Sequence, residues 1–357
     1  MIRWRDGVVV EIGRTWATAL ELQVRLDEGP TVRGLAYRDL VGTPQVGDRV
    51  LLNTTTLNLE LGTGGYAFVV AIPDRLPSDP TGPGHLVKGR YNPLQSTVLG
   101  VDEQDSPHHE LLRDAGDLDG MPVVVADLHS SLPAIVAGLR ATRPDVQVAY
   151  VATDGGALPL AFSQTVVGLS DAGWLAGTVT VGQAYGGDLE AVTVHNGLLA
   201  ARLVHRADVA VVTQGPGNLG TGTRWGFSGI AAGEAVNAAA TLKGRPVAAL
   251  RISHADSRER HHGVSHHSMT AYGEVALLPA DVVVPQLEGA FGQTVADQAQ
   301  ALAGRHRLVQ VSVDGLLEAL ADSPVTLSTM RRGLADDPAA FLAAAAAGRH
   351  AATLLTG

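Results

Sequence analysis

Five of the chain's 13 histidines fall in one stretch, at His254, His261, His262, His266 and His267. Arg251, Asp256, Arg258, Glu259 and Arg260 stand among them. Imidazoles and carboxylates gathered in this way can hold a divalent ion, because a neutral ring nitrogen suits zinc and several other transition metals. His262 and His266 are four apart, so a helix there would present both on one face. The stretch lacks the glutamate of H-E-x-x-H and does not match that protease signature. Without a metal, the same side chains would form a cationic pocket for phosphate or carboxylate.

A second set of polar residues follows apolar runs. Asp127 and His129 come after Pro122–Ala126, Asp154 after Val146–Ala152, and His254 after Pro246–Ile252. A carboxylate and an imidazole at such strand ends can act as acid and base, or ligate a metal. The expected catalytic residues are Asp127, His129 and His254. The expected metal ligands are Asp127, His129, Asp154, His262 and His266, holding zinc, manganese or magnesium. Ser130 and Asn196 fit helix caps better than chemistry. Asp102, Glu103 and Asp105, with His108 and His109, form a further acidic and histidine cluster. Ser106 and Pro107 within it fit a capped helix start.

The third feature is a glycine-rich loop, Gln214 to Thr223. It contains a formal G-x-G-x-x-G at Gly215, Gly217 and Gly220, directly after a strand. It is not a dinucleotide fingerprint. The next helix does not begin until about Ser228, so a pyrophosphate would lack the helix N-terminus that attracts it. No well-placed acidic residue follows about 20 positions later. Such a loop can still wrap backbone amides around an anion. Gly215, Gly217, Gly220 and Thr221, with Arg258 and Arg260, are the expected contacts of a small anionic ligand. No G-x-S-x-G elbow occurs, because Gly226-Phe-Ser-Gly229 is one position short, Gly229 following Ser228 directly.

The elements that would position these residues fall into two patterns. Residues 1–75 carry β-branched or alternating runs at Val8–Ile12, Ala17–Leu26, Thr31–Tyr37, Asp48–Asn53 and Tyr66–Ile72. Glycine-rich separators, the last at Gly62 to Gly65, lie between them. Short strands spaced like this predict a small antiparallel β-domain, a barrel or sandwich. A proline- and glycine-rich linker or long loop follows, at 76–95. From 96 to 357 the runs are continuous rather than alternating, and helical stretches separate them. That pattern predicts an α/β domain with a mainly parallel, doubly wound sheet, ending in an alanine-rich helix. A strand is also expected at Val275–Leu278. In such sheets the ligand crevice lies outside the carboxyl ends of the strands.

Composition narrows the function classes. The chain has 357 residues, 45% hydrophobic and 17% charged, which suits about two globular domains. Cysteine is absent, which excludes disulfides, thiolate metal sites and cysteine nucleophiles. The net charge of −10 argues against a general nucleic-acid binder. The opening Met-Ile-Arg-Trp-Arg-Asp-Gly has no apolar stretch behind it, and Ala339–Ala347 is too short to span a bilayer. A cytoplasmic protein with no membrane partner is expected.

Several stretches resemble an uncharacterised bacterial family, domain-of-unknown-function family 3866. They are Gly62-Thr-Gly-Gly-Tyr66, Glu103-Gln-Asp-Ser-Pro-His108, Gly215-Pro-Gly to Gly220-Thr-Gly-Thr223, Gly226-Phe-Ser-Gly229 and Ser265-His-His267. The resemblance covers nearly the whole chain and implies no activity, so no catalytic residue carries over from it. The expected function is metal-assisted hydrolysis or phosphoryl processing of a small anionic substrate. The alternatives are a non-catalytic binding module for a nucleotide or phosphorylated metabolite, and a homo-oligomeric assembly protein built on the β-domain and the alanine-rich helix.

Overall fold

Alternation of apolar and polar residues curls the N-terminal strands into a barrel. The structure is a computed structural model describing residues 2–57 and 64–355, so the separator residues Gly62 and Thr63 lie outside the described residues. The chain divides into two compact units. One comprises Met1–Pro83, Val87–Thr97 and Ala161–Val167. The other comprises Gly84–Leu86, Val98–Leu160 and Gly168–Gly357.

In the first unit, β1 (Trp4–Trp16), β2 (Ala19–Leu26), β3 (Thr31–Tyr37), β4 (Arg49–Asn53) and β5 (Ala67–Ala71) close in the order β1-β2-β3-β5-β4. Alternate residues of β2, Leu20, Leu22, Val24 and Leu26, fill the interior beside Val50, Leu52 and Val69. The pairs are antiparallel except β3–β5, which is parallel. Closure leaves no open edge. Outside the barrel, Leu35, Tyr37 and Tyr66 pack with Ala161, whose carbonyl accepts from Trp16 Nε1 at 2.7 Å.

The second unit holds an eight-stranded sheet. Its strands are β6 (Pro122–Val125), β7 (Val148–Thr153), β8 (Gly177–Thr180), β9 (Leu189–Glu190), β10 (Val209–Gln214), β11 (Arg245–Ala249), β12 (Asp281–Gln286) and β13 (Arg307–Ser312). The order is β9-β8-β7-β10-β6-β11-β12-β13, and every neighbouring pair is parallel. The continuous valine runs follow from burial on both faces. Val123 and Val125 pack with Leu198 of α2 (Val194–Leu203) and Val236 of α3 (Ala231–Thr241). The C-terminal helix α6 (Pro338–Thr353) lies along β6, β11, β12 and β13 and crosses α1 (Leu132–Thr142).

That crossing depends on two glycines. A Cβ on Gly138 would stand 1.9 Å from the Ala345 carbonyl oxygen, and one on Gly348 would stand 2.0 Å from that of Ile135. Ala343 to Ala347 are buried there. The alanine-rich helix is therefore interior to its own unit and offers no free face for the assembly reading. The strand expected at Val275–Leu278 is absent. A π-turn spans Ala271–Val275, and Asn237 Oδ1 accepts from the amides of Leu277 and Leu278, which a strand would have needed.

The winding fixes where a site can form. From β6 the chain moves outward through β7, β8 and β9. It then returns to insert β10 between β7 and β6, and continues on the other side with β11, β12 and β13. The reversal lies at β10, β6 and β11, and the crevice of such a sheet opens at their carboxyl ends. Among the described residues, no helix is long and apolar enough to cross a membrane.

Candidate functional site

Asp127, just past β6, is the hub of the crevice. Its Oδ2 lies 3.5 Å from both Arg251 Nη1 and His267 Nδ1, and Arg251 Nη1 is 3.0 Å from that same ring nitrogen. Gln214, at the end of β10, donates from Nε2 to the Asp127 carbonyl at 2.9 Å. The strands at the reversal thus meet on one residue. Burial pushes the Asp127 carboxyl up, but the His267 hydrogen bond and the Arg251 charge outweigh it, and the group stays below the usual carboxylate range. Tyr272 lies beneath, its hydroxyl 2.9 Å from the Val125 carbonyl and 3.2 Å from that of Ala249. Gly229 allows the next loop to close over Asp127, since a Cβ there would come within 2.9 Å of the aspartate Cβ.

The histidine stretch does not form one helix. Ile252–Ser253 pairs with Gly263–Val264 in a short antiparallel ribbon, and α4 (His266–Thr270) begins afterwards. Ser265 caps α4, its hydroxyl accepting from the His267 amide at 3.2 Å. The fold brings His261, His266 and His267 together, with one ring nitrogen from each within 4.8 Å of the others. Ser265 Oγ holds His261 Nδ1 at 2.7 Å. Phe227 stacks flat on His267, at 3.8 Å and 3°, and meets the edge of His266 at 6.0 Å. His266 Nε2 is buried and has no hydrogen-bond partner.

These imidazoles suit metal binding at neutral pH. Burial, then the charges of Arg251 and Arg258, push His261 down to about 3. Burial, then His267 and Arg260, push His266 down to about 4. Both rings are neutral at pH 7, and a metal ligand must be deprotonated. Three histidines are a sufficient protein ligand set for a catalytic zinc, which keeps a fourth position open. Asp127 behind His267 and Ser265 behind His261 are partners of the kind that orient ligating rings.

Residues 33–348 match the family described as protein of unknown function (DUF3866). The chain belongs to the DUF3866 family. No curated protein and no solved structure matches it. The match includes Asp127, the glycine loop and the three histidines, so the whole cluster of this DUF3866 protein lies inside the family's own region.

The other expected residues are placed apart from the three histidines. The exposed rings of His254 and His262 both turn to Phe291, on α5 (Gly289–Ala299), at 5.7 Å. The shared helix face expected for His262 and His266 is therefore replaced by two separate environments, because the ribbon interrupts the spacing. His129 is buried, its Nδ1 3.1 Å from the Tyr150 hydroxyl, and burial pushes it down to about 4. Asp154 is exposed and accepts from the Gln183 amide at 2.9 Å, which makes it a brace for that turn. Ser130 and Asn196 are not the caps expected. Ser130 bonds Thr329, and Thr193 caps α2 by accepting from the Asn196 amide.

The glycine loop is mostly self-bonded. Gly215 donates its amide to the Thr153 carbonyl, and Thr221 donates to that of Gly226 at 2.8 Å. Neither amide is free for an anion. Ser228 Oγ donates to Asn218 Oδ1 at 2.9 Å and accepts from the Leu219 amide, so it braces the loop. Gly217 and Gly220 are exposed. Arg258 is clamped by Asp256 through two bonds, at 2.9 and 2.7 Å. Arg260 is exposed and forms no hydrogen bond or ion pair with the described residues. In the 102–109 segment, Glu103 accepts from the amides of His85, Leu86 and Gly100, and Asp102 from Asn196, so both fasten loops.

Proposed function

We propose that this DUF3866 protein is a metal-assisted hydrolase acting on a small anionic substrate. One observation carries the reading: His261, His266 and His267 converge, with a buried and unpartnered nitrogen on His266. An interior polar atom without a partner is costly, and a ligand that engages it removes the cost. A divalent ion held there would lower the pKa of a bound water toward 7 and polarise an ester or phosphoryl oxygen. The chain's own residues do the rest. Asp127 and Ser265 orient His267 and His261, Phe227 packs on His267 and His266, and the exposed Arg260, next to His261 in the chain, would meet a negative group.

The test is metal content of the whole chain before and after chelator, with turnover of phosphate, sulfate and carboxylate esters. Stoichiometric metal should be lost in His266→Ala and weakened in Asp127→Asn, about 10- to 100-fold for a residue that orients a ligand. His262→Ala should keep its metal. Full metal in His266→Ala sinks the reading. The approach of Arg251 to His267 Nδ1 at 3.0 Å favours a second reading, a metal-free anion pocket that binds without turnover. Phosphate-induced thermal stabilisation in a protein that takes up no metal would select it.

A further inference from the structure

The arginines near the three histidines are neutralised, with one exception. Arg251 faces Asp127 at 3.5 Å. Arg258 is clamped by Asp256, and Arg332 reaches both Asp256 and Asp337. Arg224, on the glycine hairpin, pairs with Glu274. Arg260 has no such partner among the described residues. It directly precedes His261 in the chain, and the hairpin it faces carries Phe227, which stacks on His267. At the hairpin tip, a Cβ on Gly222 would stand 3.8 Å from Arg260 Nη2. Gly222 has a φ of +79°, so this tip presents backbone rather than a side chain.

Charge selects the substrate. An imidazole ligand brings no charge, so a divalent ion held by the three histidines would stay at +2, and Arg260 adds +1. An amide or carboxylate ester brings no charge to match this, and a phosphodiester brings −1. A phosphate monoester brings close to −2 at neutral pH, with three acceptor oxygens. A guanidinium takes two such oxygens at once in its planar fork. We propose that the site takes a phosphate monoester, its phosphoryl group bridging the ion held by His261, His266 and His267 and the guanidinium of Arg260. The inference rests on the metal-centre reading above. In the reaction the oxygen of water forms the new P–O bond and the ester P–O bond breaks. The leaving alcohol takes one proton of that water, and hydrogen phosphate keeps the other.

Inorganic phosphate is the probe, titrated calorimetrically into the metal-loaded chain. Arg260→Ala should weaken phosphate about 10- to 100-fold, the range of a lost charge-assisted pair, with metal content unchanged. Arg224→Ala, on the same hairpin but already paired, should leave it unchanged. The metal-loaded protein should also turn over p-nitrophenyl phosphate in preference to bis(p-nitrophenyl) phosphate. Wild-type phosphate affinity in Arg260→Ala, or faster turnover of the diester, overturns this inference and leaves the metal centre standing. A wild-type chain that takes up no metal overturns both.

Discussion

Metal at the histidine centre should stabilise the fold, and His266 allows this to be measured. Its Nε2 is buried without a partner, and such an atom costs about 1–3 kcal/mol. Leucine fills a comparable volume and carries no polar atom. His266→Leu gives up the ring contacts to His261, His267 and Phe227, of which the edge contact to Phe227 is at 6.0 Å. Aromatic pairs of this kind contribute about 0.5–1.5 kcal/mol beyond their burial. The two effects nearly offset, so in chelator the variant should melt close to wild type, within about 1 kcal/mol or roughly 2–4 °C for a unit this size. With metal at 100-fold excess over Kd, the wild type should instead gain about 2.7 kcal/mol, while the variant gains little. The gap between the two proteins should therefore open only in metal. Scanning calorimetry of the full chain, in chelator and then in zinc, manganese or magnesium, reads both limbs. A variant that shows the same metal-dependent rise as wild type would refute the reasoning.

Two further outcomes test the frame around the site. At the amino end of β12, Asp281 accepts from His350 Nε2 at 2.7 Å and from Arg307 Nε at 2.6 Å. Burial pushes its carboxyl up, but His350 and Arg307 outweigh this and hold it at about 2, against an ordinary 3.8. The folded value is depressed, so this stabilisation is present above pH 3.8 and is lost as pH falls toward about 2. His350→Gln should raise the acid-unfolding midpoint, and an unmoved midpoint would show that the pair contributes nothing. Gly138→Ala places a Cβ 1.9 Å from the Ala345 carbonyl oxygen, and overpacking of this kind costs about 1–3 kcal/mol or more. A melting temperature equal to wild type would mean that α1 and α6 do not cross as closely as described.

Much of the fold was legible because burial on two faces writes itself as unbroken valine runs. Pro122–Val125, Val148–Thr153 and Val209–Gln214 are such runs, and each is a strand of the parallel sheet. The barrel was legible from alternation, but its parallel β3–β5 pair was not, because pairing direction depends on how the chain returns. Local chemistry misled where a distant side chain took the backbone groups. Leu277 and Leu278 read as strand, yet their amides bond Asn237, 40 and 41 positions earlier in the sequence. Helix α5 passed unread because Gly289, Gly292 and several polar residues dilute its apolar stripe. Its missing signal mattered, since α5 carries Phe291.

The histidine count was visible and the grouping was not, and two phenylalanines explain the difference. Phe291 on α5 takes His254 and His262, each at 5.7 Å. Phe227, at the end of the glycine hairpin, takes His266 and His267. His261 turns toward the second pair because Ser265 holds its Nδ1. A four-residue spacing predicts a shared face only when the residues between are helical, and here Gly263 has a φ of +75° and lies in a strand pair. Ser265-His-His carries the better local signal, a capping serine directly before two histidines of the first helical turn. That signal places His266 and His267 beside each other at a helix start but cannot supply His261 or Asp127. Those arrive through the sheet, because β6 and β11 are neighbours only after the chain has wound outward and returned. Asp127 and Arg251 are 124 positions apart and meet at 3.5 Å. The ligand-competent state of the histidines therefore depends on sheet order as much as on their own stretch of sequence. A change in how β6 and β11 pair should disturb the centre without touching a histidine.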